Sequence, residues 1–437
     1  MSIEVISIII VVSLLILIVT GFPVAFCLLA VAVAGIVIWV RPEALTALSS
    51  VALSSITTDY FIALPMFIFM AAILQVSGIG HALYEMMYKW MAGLRGGLAM
   101  GTVLISTIIA GMSGVAATST VTMGLLAYPE MRDKGYNKSI AIGCISAGGC
   151  LGPLIPPSIP MIIVAALSSL SIGKLFMAGV FPGLLVSFSF IAYIAIRCFY
   201  SPVLGPAIPI IERVTWREKI VTLRQVILPL SLIILVLGAI YTGICTPSEA
   251  GGVGAFGALI CMIVYRNMNW ANLKKALVTA LKANTMVFWL IIAGCCFSSM
   301  LGLTGVKNFI QDILLGVNGN HWVVLALMLG IVYLMGMVMD ATAIAIICIP
   351  IFAPIVRELG IDMVWFGLIF TMDMIIGYIT PPFGIDAFYF KGLGHPGVTM
   401  MDIYKSVIPF VVIMTGAWFL CIIFPPISTW LPGMMIK

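Results

Sequence analysis

The stretch "LGPLIPPS" at residues 151–158 interrupts an apolar region, and a related stretch, "IGYITPPF", occurs at residues 376–383. Gly152 matches Gly377, and the pair Pro156–Pro157 matches Pro381–Pro382, at an offset of 225 residues (376 minus 151). Proline removes a backbone donor and clashes with the carbonyl one turn earlier, so both stretches predict a broken helix. The breaks include Pro153, Pro156, Pro157, Pro381 and Pro382.

The segments before each break keep the same offset. "GMSGVA" at 111–116 faces "GMVMDA" at 336–341, and "PEMRDKG" at 129–135 faces "PIVRELG" at 354–360. The residues that match are mostly glycine, proline and arginine, which shape or anchor a backbone. The pattern predicts an internal structural repeat, which is typical of secondary transporters.

The composition indicates a membrane protein. The chain has 437 residues, of which 62% are hydrophobic and 8% are charged, with a mean hydropathy of +1.23. Soluble domains carry about 25% charged residues, and a spanning helix needs about 20 apolar ones. We therefore predict an all-α polytopic protein whose environment is the lipid bilayer, with no nucleic-acid partner. The first apolar run follows "MSIE" without a basic segment, so we expect it to be a span rather than a cleaved signal peptide.

Each repeat is predicted to contain a re-entrant helical hairpin followed by a helix broken at Pro-Pro. A charged linker is predicted to join the halves, and residues 42–58 and 267–282, which begin with polar or charged groups, are predicted to form interfacial helices that lie along the bilayer. The predicted boundaries are 1–197 for the first repeat (hairpin about 97–129, broken helix about 139–169), 198–225 for a cytoplasmic linker, and 226–437 for the second repeat (hairpin about 321–354, broken helix about 363–390) with a C-terminal span.

The distribution of basic residues predicts an orientation. Lys and Arg collect in cytoplasmic loops. If the base of the first hairpin is cytoplasmic, most of the 21 Lys and Arg residues lie on that side. The N-terminus is then periplasmic and the second hairpin opens from the opposite face, so the repeats are predicted to be inverted.

Interrupted helices in lipid suggest binding sites. Unsatisfied backbone groups there cost several kcal/mol each, so such breaks are tolerated where they line a cavity or bind a ligand. Half-helix C-termini bind Na⁺, and half-helix N-termini attract anions. The first hairpin tip carries Ser113, Thr118, Ser119 and Thr120, and the second carries Asp340 and Thr342. Close helix packing by small residues is the alternative explanation for the hydroxyl cluster.

Three acids lie in predicted membrane segments, where ionisable residues are functional candidates by default. Asp340 is predicted to serve ion coupling. Asp386 follows the second break, and Asp373 precedes it by about two turns; a satisfied structural acid is the alternative for Asp373. The predicted substrate residues are Ser113, Thr118, Ser158, Asp373 and Asp386.

The sequence lacks the motifs of several other classes. It contains no Walker A, HExxH or GxSxG pattern, which argues against an ATP-driven pump and a hydrolase. It also lacks a recognisable selectivity-filter motif, which argues against a channel. We predict that the chain is not an enzyme.

The quoted motifs resemble a known family. "GMSGVAATST", "PEMRDKGYNKSIAIGCISAGGCLGPLIPPSIPMII" and "IGYITPPFGIDAFYF" resemble the large membrane subunit of tripartite ATP-independent periplasmic (TRAP) transporters. "CTPSEAGGVGAFGALI" is similar to that family's mid-chain signature. The resemblance runs from about residue 5 to residue 430.

This resemblance implies an ion-transporter-superfamily fold with a scaffold and an elevator-like transport domain. It implies Na⁺-coupled uptake of an organic acid across the bacterial inner membrane, with Na⁺ as the coupling ion and no other cofactor. The implied partners are a periplasmic binding (P) protein and a small (Q) subunit of about four helices, here as a separate chain. The Na⁺ site residues that it implies, together with those at the tips, are Gly111, Ser113, Gly114, Gly149, Gly152, Gly336, Asp340, Thr342, Gly377 and Thr380.

The chain departs from the family pattern at two acids. Asp373 stands where asparagine is expected, and Ile385–Asp386 stands where Leu–Asn is common. Such acids would alter ion stoichiometry, proton involvement or substrate preference. A stand-alone Na⁺/dicarboxylate symporter or an ion antiporter of the same architecture remains the alternative, and the sequence does not identify the organic acid.

Overall fold

The computed structural model describes residues 2–207, 215–316 and 321–435, and these residues form helices, turns and no strand. The all-α prediction is confirmed. The helices are α1 (Ile3–Val19), α2 (Val24–Trp39), α3 (Leu45–Ile56), α4 (Asp59–Val76), α5 (Ile79–Met91), α6 (Gly97–Ser113), α7 (Ala116–Asp133), α8 (Lys138–Gly149), α9 (Ile159–Ser168), α10 (Ile172–Tyr200), α11 (Trp216–Tyr241), α12 (Pro247–Val264), α13 (Trp270–Leu303), α14 (Val306–Gly316), α15 (His321–Gly336), α16 (Ala341–Glu358), α17 (Met363–Ile379), α18 (Ile385–Gly392), α19 (Met400–Ile423) and α20 (Pro426–Gly433).

Several helices are suited to a bilayer. Within the described ranges, five helices are long and apolar enough to cross a membrane, and two bent pairs would raise that number to seven. Helices α1 and α11 expose large apolar side chains such as Ile8, Leu15 and Ile234. Hydrocarbon is the natural environment for such surfaces in a chain of this composition.

Two helical hairpins precede two interrupted helices. In the first half, α6 and α7 are joined by Gly114 and Val115, and the residues between α8 and α9 include the first Pro-Pro pair. In the second half, α15 and α16 are joined by residues 337–340, and residues 380–384 separate α17 from α18. Both Pro–Pro peptide bonds are cis. We call α6–α7 the first hairpin and α15–α16 the second hairpin.

The interrupted helices occupy the centre of the protein. Every residue of α8 from Ile140 to Gly149 is buried, as is every residue of α17 from Trp365 to Ile379. A helix that is apolar on all sides is stable only when it is surrounded by other helices. The first break therefore lies inside the helical assembly, where its freed backbone groups face protein, whereas Pro382 and Phe383 of the second break are exposed.

Polar contacts also join the two halves near the N-terminus of α19. The Lys138 ammonium lies 2.6 Å from an Asp402 carboxylate oxygen and donates to the Gly397 carbonyl at 2.5 Å. A His395 ring nitrogen lies 3.0 Å from the Gly124 carbonyl oxygen of α7. Burial lowers the pKa of the His395 imidazole. These contacts hold the loop before α19 against the first hairpin and the start of α8.

The structure differs from the sequence prediction in two segments. Helix α13 is continuous over 34 residues, so residues 270–282, which were predicted to form an interfacial helix, are the first part of a longer helix. Between Trp270 and Ala293 no proline or glycine interrupts the helix, although the polar or charged groups at its start suggested an interfacial segment. Helix α11 begins at Trp216, inside the predicted linker 198–225, and residues 208–214 of that linker lie outside the described residues.

Candidate functional site

The tip of the first hairpin lies directly against the first break. Gly114 adopts a left-handed backbone conformation (φ +63°), and a Cβ placed on it would overlap the Pro157 carbonyl oxygen. A Cβ on Gly152 would lie 2.6 Å from the carbonyl carbon of Val115. Backbone therefore packs on backbone, which only glycine permits at these positions. The structure brings these two predicted Na⁺ site residues, Gly114 and Gly152, to one place.

The second half contains a corresponding contact. A Cβ on Gly377 would lie 2.7 Å from the Gly336 Cα atom, and a Cβ on Gly336 would lie 3.0 Å from the Gly377 Cα atom. Gly377 stands 225 positions after Gly152, and Gly336 stands 225 positions after Gly111. Both halves thus place a glycine of the interrupted helix against the end of a hairpin.

Several predicted polar residues hold the ends of helices. Asp340 caps α16, because its Oδ1 atom accepts a 2.9 Å hydrogen bond from the Thr342 backbone N–H. The Thr380 hydroxyl donates to the Ile376 carbonyl at 2.6 Å. Ser158 caps α9 and donates to the Pro153 carbonyl at 2.5 Å. Hydroxyl, carboxylate and carbonyl oxygens are the donors that hard cations prefer, so the tips have suitable chemistry for Na⁺.

A buried hydrogen bond joins the first hairpin to the second interrupted helix. The Thr120 hydroxyl of α7 donates to the Asp386 Oδ1 atom of α18 at 2.6 Å. Asp386 is fully buried, and its Oδ2 atom has no hydrogen-bond partner among the described residues. A Cβ on Gly149 would overlap the Thr120 hydroxyl, so the missing side chain there leaves room for this bond. Thr120 was not among the predicted site residues, although its place near the tip was a signal.

Two of the predicted acids, Asp340 and Asp386, lie near a tyrosine pair. The Tyr378 and Tyr389 hydroxyls are 3.4 Å apart, and Asp340 and Asp386 both lie within electrostatic range of these rings. Asp373 is 2% exposed, and its Oδ2 atom also lacks a partner among the described residues. Asp373 and Asp386 are thus buried, whereas Asp340 is half-buried.

A polar cavity of about 640 Å³ opens between the first hairpin and helices α4, α5 and α13. Ser113 and Thr118 lie on its walls as predicted substrate residues, whereas Ser158, Asp373 and Asp386 do not line it. The polar side chains that the sequence analysis did not assign to a site are Gln75, His81, Thr122, Asn267, Asn272, Lys275 and Thr279. Thr122 lies one turn after Thr118 on α7, but the others come from distant segments, so no spacing in the sequence connects those with Ser113.

The wall opposite the hairpin is shaped around Asn267. Its amide donates to the Ser77 carbonyl at 2.8 Å, and the Asn272 amide donates to the Asn267 carbonyl at 2.9 Å. Gly78 has φ +83°, and a Cβ there would overlap the Asn267 amide. These contacts fix the junction of α4 and α5 beside the start of α13.

The cavity has the charge and size to receive a small anion. Among its described lining residues, Lys275 carries the one permanent charge and no carboxylate is present. Its volume falls within the range of about 300–1,000 Å³ that is usual for small-molecule sites. An ammonium group on one wall and hydroxyls on the other are suited to a carboxylate.

Comparisons with known proteins agree with this architecture. The sequence profile described as "Tripartite ATP-independent periplasmic transporter, DctM component" matches residues 11–427. The chain is 31% identical over 380 residues to the C4-dicarboxylate TRAP transporter large permease protein DctM of Pseudomonas aeruginosa, covering 86% of this chain and 87% of that one. It is 31% identical over 422 residues to the ectoine/5-hydroxyectoine TRAP transporter large permease protein UehC of Ruegeria pomeroyi, covering 96% and 97%.

A solved structure shares the fold. The YdaH transporter of Alcanivorax borkumensis superposes with a TM-score of 0.62 at 14% identity, covering 91% of this chain and 90% of that one. The relatives are permeases rather than enzymes, which confirms that prediction. The match over residues 11–427 identifies the chain as a member of the DctM family, the large permease components of TRAP transporters.

Proposed function

We propose that this permease carries a small organic acid across the inner membrane together with Na⁺, by elevator-type alternating access. One observation carries the proposal: the polar cavity has Ser113 and Thr118 of the first hairpin on one side and Lys275 of α13 on the other. A site shared by two groups of helices opens or closes when one group moves relative to the other.

The mobile group in this proposal contains the two hairpins and the two interrupted helices. Their glycine contacts, Gly114 with Pro157 and Gly336 with Gly377, make each tip move with its break. Na⁺ bound at the tips would offset the negative charge of the substrate in a region of low dielectric constant. Helices α4 and α13 form the stationary side.

The side of the membrane on which the polar cavity opens follows from the predicted orientation of the chain. With the N-terminus periplasmic, Lys275 and the mouth of the polar cavity lie on the cytoplasmic side, as in an inward-open state. We propose that a periplasmic binding protein delivers the acid and that a small membrane subunit is a separate chain. Uptake that proceeds without a binding protein would instead favour a stand-alone Na⁺/dicarboxylate symporter.

Removing the charge of Asp340 tests the sodium part of the proposal. Asparagine caps helices about as well as aspartate, so Asp340→Asn should preserve α16. We expect the Na⁺ concentration for half-maximal uptake to rise about tenfold, which corresponds to ~1.4 kcal/mol. Ser113→Ala should shift it in the same direction. The measurement is Na⁺-dependent uptake in proteoliposomes that contain the partner subunit and the binding protein.

Asp312→Asn is the control, because Asp312 is an exposed acid of α14. It should leave the Na⁺ response unchanged. Wild-type Na⁺ responses in both Asp340→Asn and Ser113→Ala would remove the assignment of the tips as sodium sites.

Neutralising Lys275 tests the substrate part. Lys275→Gln should raise the KM for a carboxylate substrate about tenfold by removing one charge-assisted hydrogen bond of ~1.5 kcal/mol. Lys274→Gln is the matched control, because Lys274 is the exposed neighbour that does not line the cavity. The substrate is first chosen by screening labelled dicarboxylates, sugar acids and keto acids in proteoliposomes. Equal KM values for the two variants would exclude Lys275 from the site.

A further inference from the structure

A second cavity, about 580 Å³ in volume, lies between helices α5, α6, α10 and α11. We call it the apolar crevice. Its inner end reaches Gly111 and Pro156, at the outer side of the first tip and break. Met87, Leu104, Leu184 and Leu230 are representative of its walls. The polar cavity and the apolar crevice therefore lie on different sides of the first hairpin.

The apolar crevice offers no free polar group among its described lining residues. The hydroxyl of Thr107 shares a 2.6 Å hydrogen bond with the Ser187 hydroxyl and also donates to the Val103 carbonyl. The Trp90 indole N–H donates to the Lys219 carbonyl at 2.9 Å. A polar ligand placed there would lose its hydrogen bonds to water without replacement. The occupant must therefore be hydrocarbon over most of its length.

The outer end of the apolar crevice is basic and aromatic. The residues of α11 that line the crevice recur every three or four positions. One further turn towards the N-terminus adds Lys219 to the same face, and a second turn adds Trp216. The Lys219 ammonium lies 5.1 Å from the Trp216 ring centroid, and the Trp216 and Trp90 rings meet edge to face at 6.2 Å. Arg217 and Arg224 are exposed nearby on α11. Tryptophan and basic residues at the end of an apolar surface are typical of the headgroup region of a bilayer.

We propose that the apolar crevice binds an anionic phospholipid, with one acyl chain between α6 and α11 and the headgroup at Lys219. The end of the acyl chain contacts Gly111 and Pro156 from the outside. In this position the lipid fills the gap between the first hairpin and α11 and stabilises the arrangement seen in the structure. The site depends on neither the sodium sites nor the substrate cavity.

Retention of phosphatidylglycerol by the full-length purified protein tests the proposal. Protein from proteoliposomes with equal phosphatidylglycerol and phosphatidylcholine is washed in detergent, and bound lipid is counted by native mass spectrometry. The wild type should keep one phosphatidylglycerol in preference to phosphatidylcholine. Lys219→Gln should lower that preference about fivefold, since one basic residue near an anionic headgroup contributes about that factor.

A pair of tryptophan substitutions distinguishes lipid bound in the apolar crevice from lipid bound elsewhere on the lipid-facing surface. Leu230→Trp fills the crevice, whereas Leu235→Trp adds the same ring on an exposed part of α11 that does not line it. Leu230→Trp should lose the retained lipid and Leu235→Trp should keep it. Lipids with brominated acyl chains should also quench the fluorescence of Trp90, which is measured as the difference between the wild type and Trp90→Phe.

Three outcomes would overturn the proposal: equal lipid retention in the two tryptophan variants, no preference for phosphatidylglycerol, or displacement of the lipid by the small subunit.

Discussion

Alanine at Gly377 should remove most Na⁺-driven uptake. The new Cβ would lie 2.7 Å from the Gly336 Cα atom and 2.8 Å from the Tyr333 carbonyl oxygen, and backbone atoms of packed helices cannot rotate away as a side chain does. Overpacking costs about 1–3 kcal/mol even where side chains can adjust. We therefore expect uptake per folded transporter to fall at least about tenfold and the thermal unfolding temperature in detergent to drop. Gly336→Ala should act in the same way.

Gly330→Ala provides the matched control on α15. Gly330 has open space where a Cβ would be placed, while Gly336 on the same helix does not. Alanine is favoured over glycine inside a helix by roughly 0.5–1 kcal/mol, so this variant should be as stable as the wild type or more stable. A Gly377→Ala protein that transports as well as Gly330→Ala would show that the contact between α15 and α17 opens without cost.

Thr120→Val should destabilise the protein strongly, although it is a small change in the side chain. The change keeps the shape of the side chain but removes the hydroxyl that donates to Asp386, whose other oxygen already lacks a partner among the described residues. A buried hydrogen bond contributes about 0.5–1.5 kcal/mol, and a buried acceptor left unpaired costs about 1–3 kcal/mol. We expect a clear fall in the thermal unfolding temperature, measured in detergent with and without Na⁺.

A double-mutant cycle identifies the cause of that fall. Once Asp386→Leu has removed the carboxylate, Thr120→Val should cost little more, so the two effects should not add. Thr102→Val is the control, because the Thr102 hydroxyl is buried but donates to the Leu98 carbonyl of its own helix. Strict additivity of Thr120→Val and Asp386→Leu would show that the bond between them contributes nothing measurable.

The backbone breaks could be predicted because their causes are local. Proline removes a backbone donor wherever it occurs, so Pro156–Pro157 and Pro381–Pro382 suffice to locate the interrupted helices. Where two backbones approach closely, glycine is required, and it therefore occurs at matching positions in both halves. Contacts between distant segments produce no recognisable sequence pattern. Thr120 and Asp386 are 266 residues apart, and their hydrogen bond depends on how α7 packs against α18.

The polar cavity illustrates the same limit. Ser113 was recognisable as a hydroxyl at a hairpin tip, but Lys275 resembled any basic residue at the end of a span. Only the packing of α13 beside α4 brings it to the cavity wall. The first part of α13 was predicted as an interfacial helix because it begins with polar or charged groups, although no proline or glycine divides it from the rest of the helix.

The continuity of α13 has a mechanical consequence. At 1.5 Å per residue, 34 residues extend over about 51 Å, whereas the hydrocarbon layer is only about 30 Å thick. A rod of that length must tilt or project from the bilayer, and its lysines resist being pulled through the acyl layer. In the elevator mechanism proposed above, α13 therefore keeps its position across the bilayer, and the first hairpin moves relative to it.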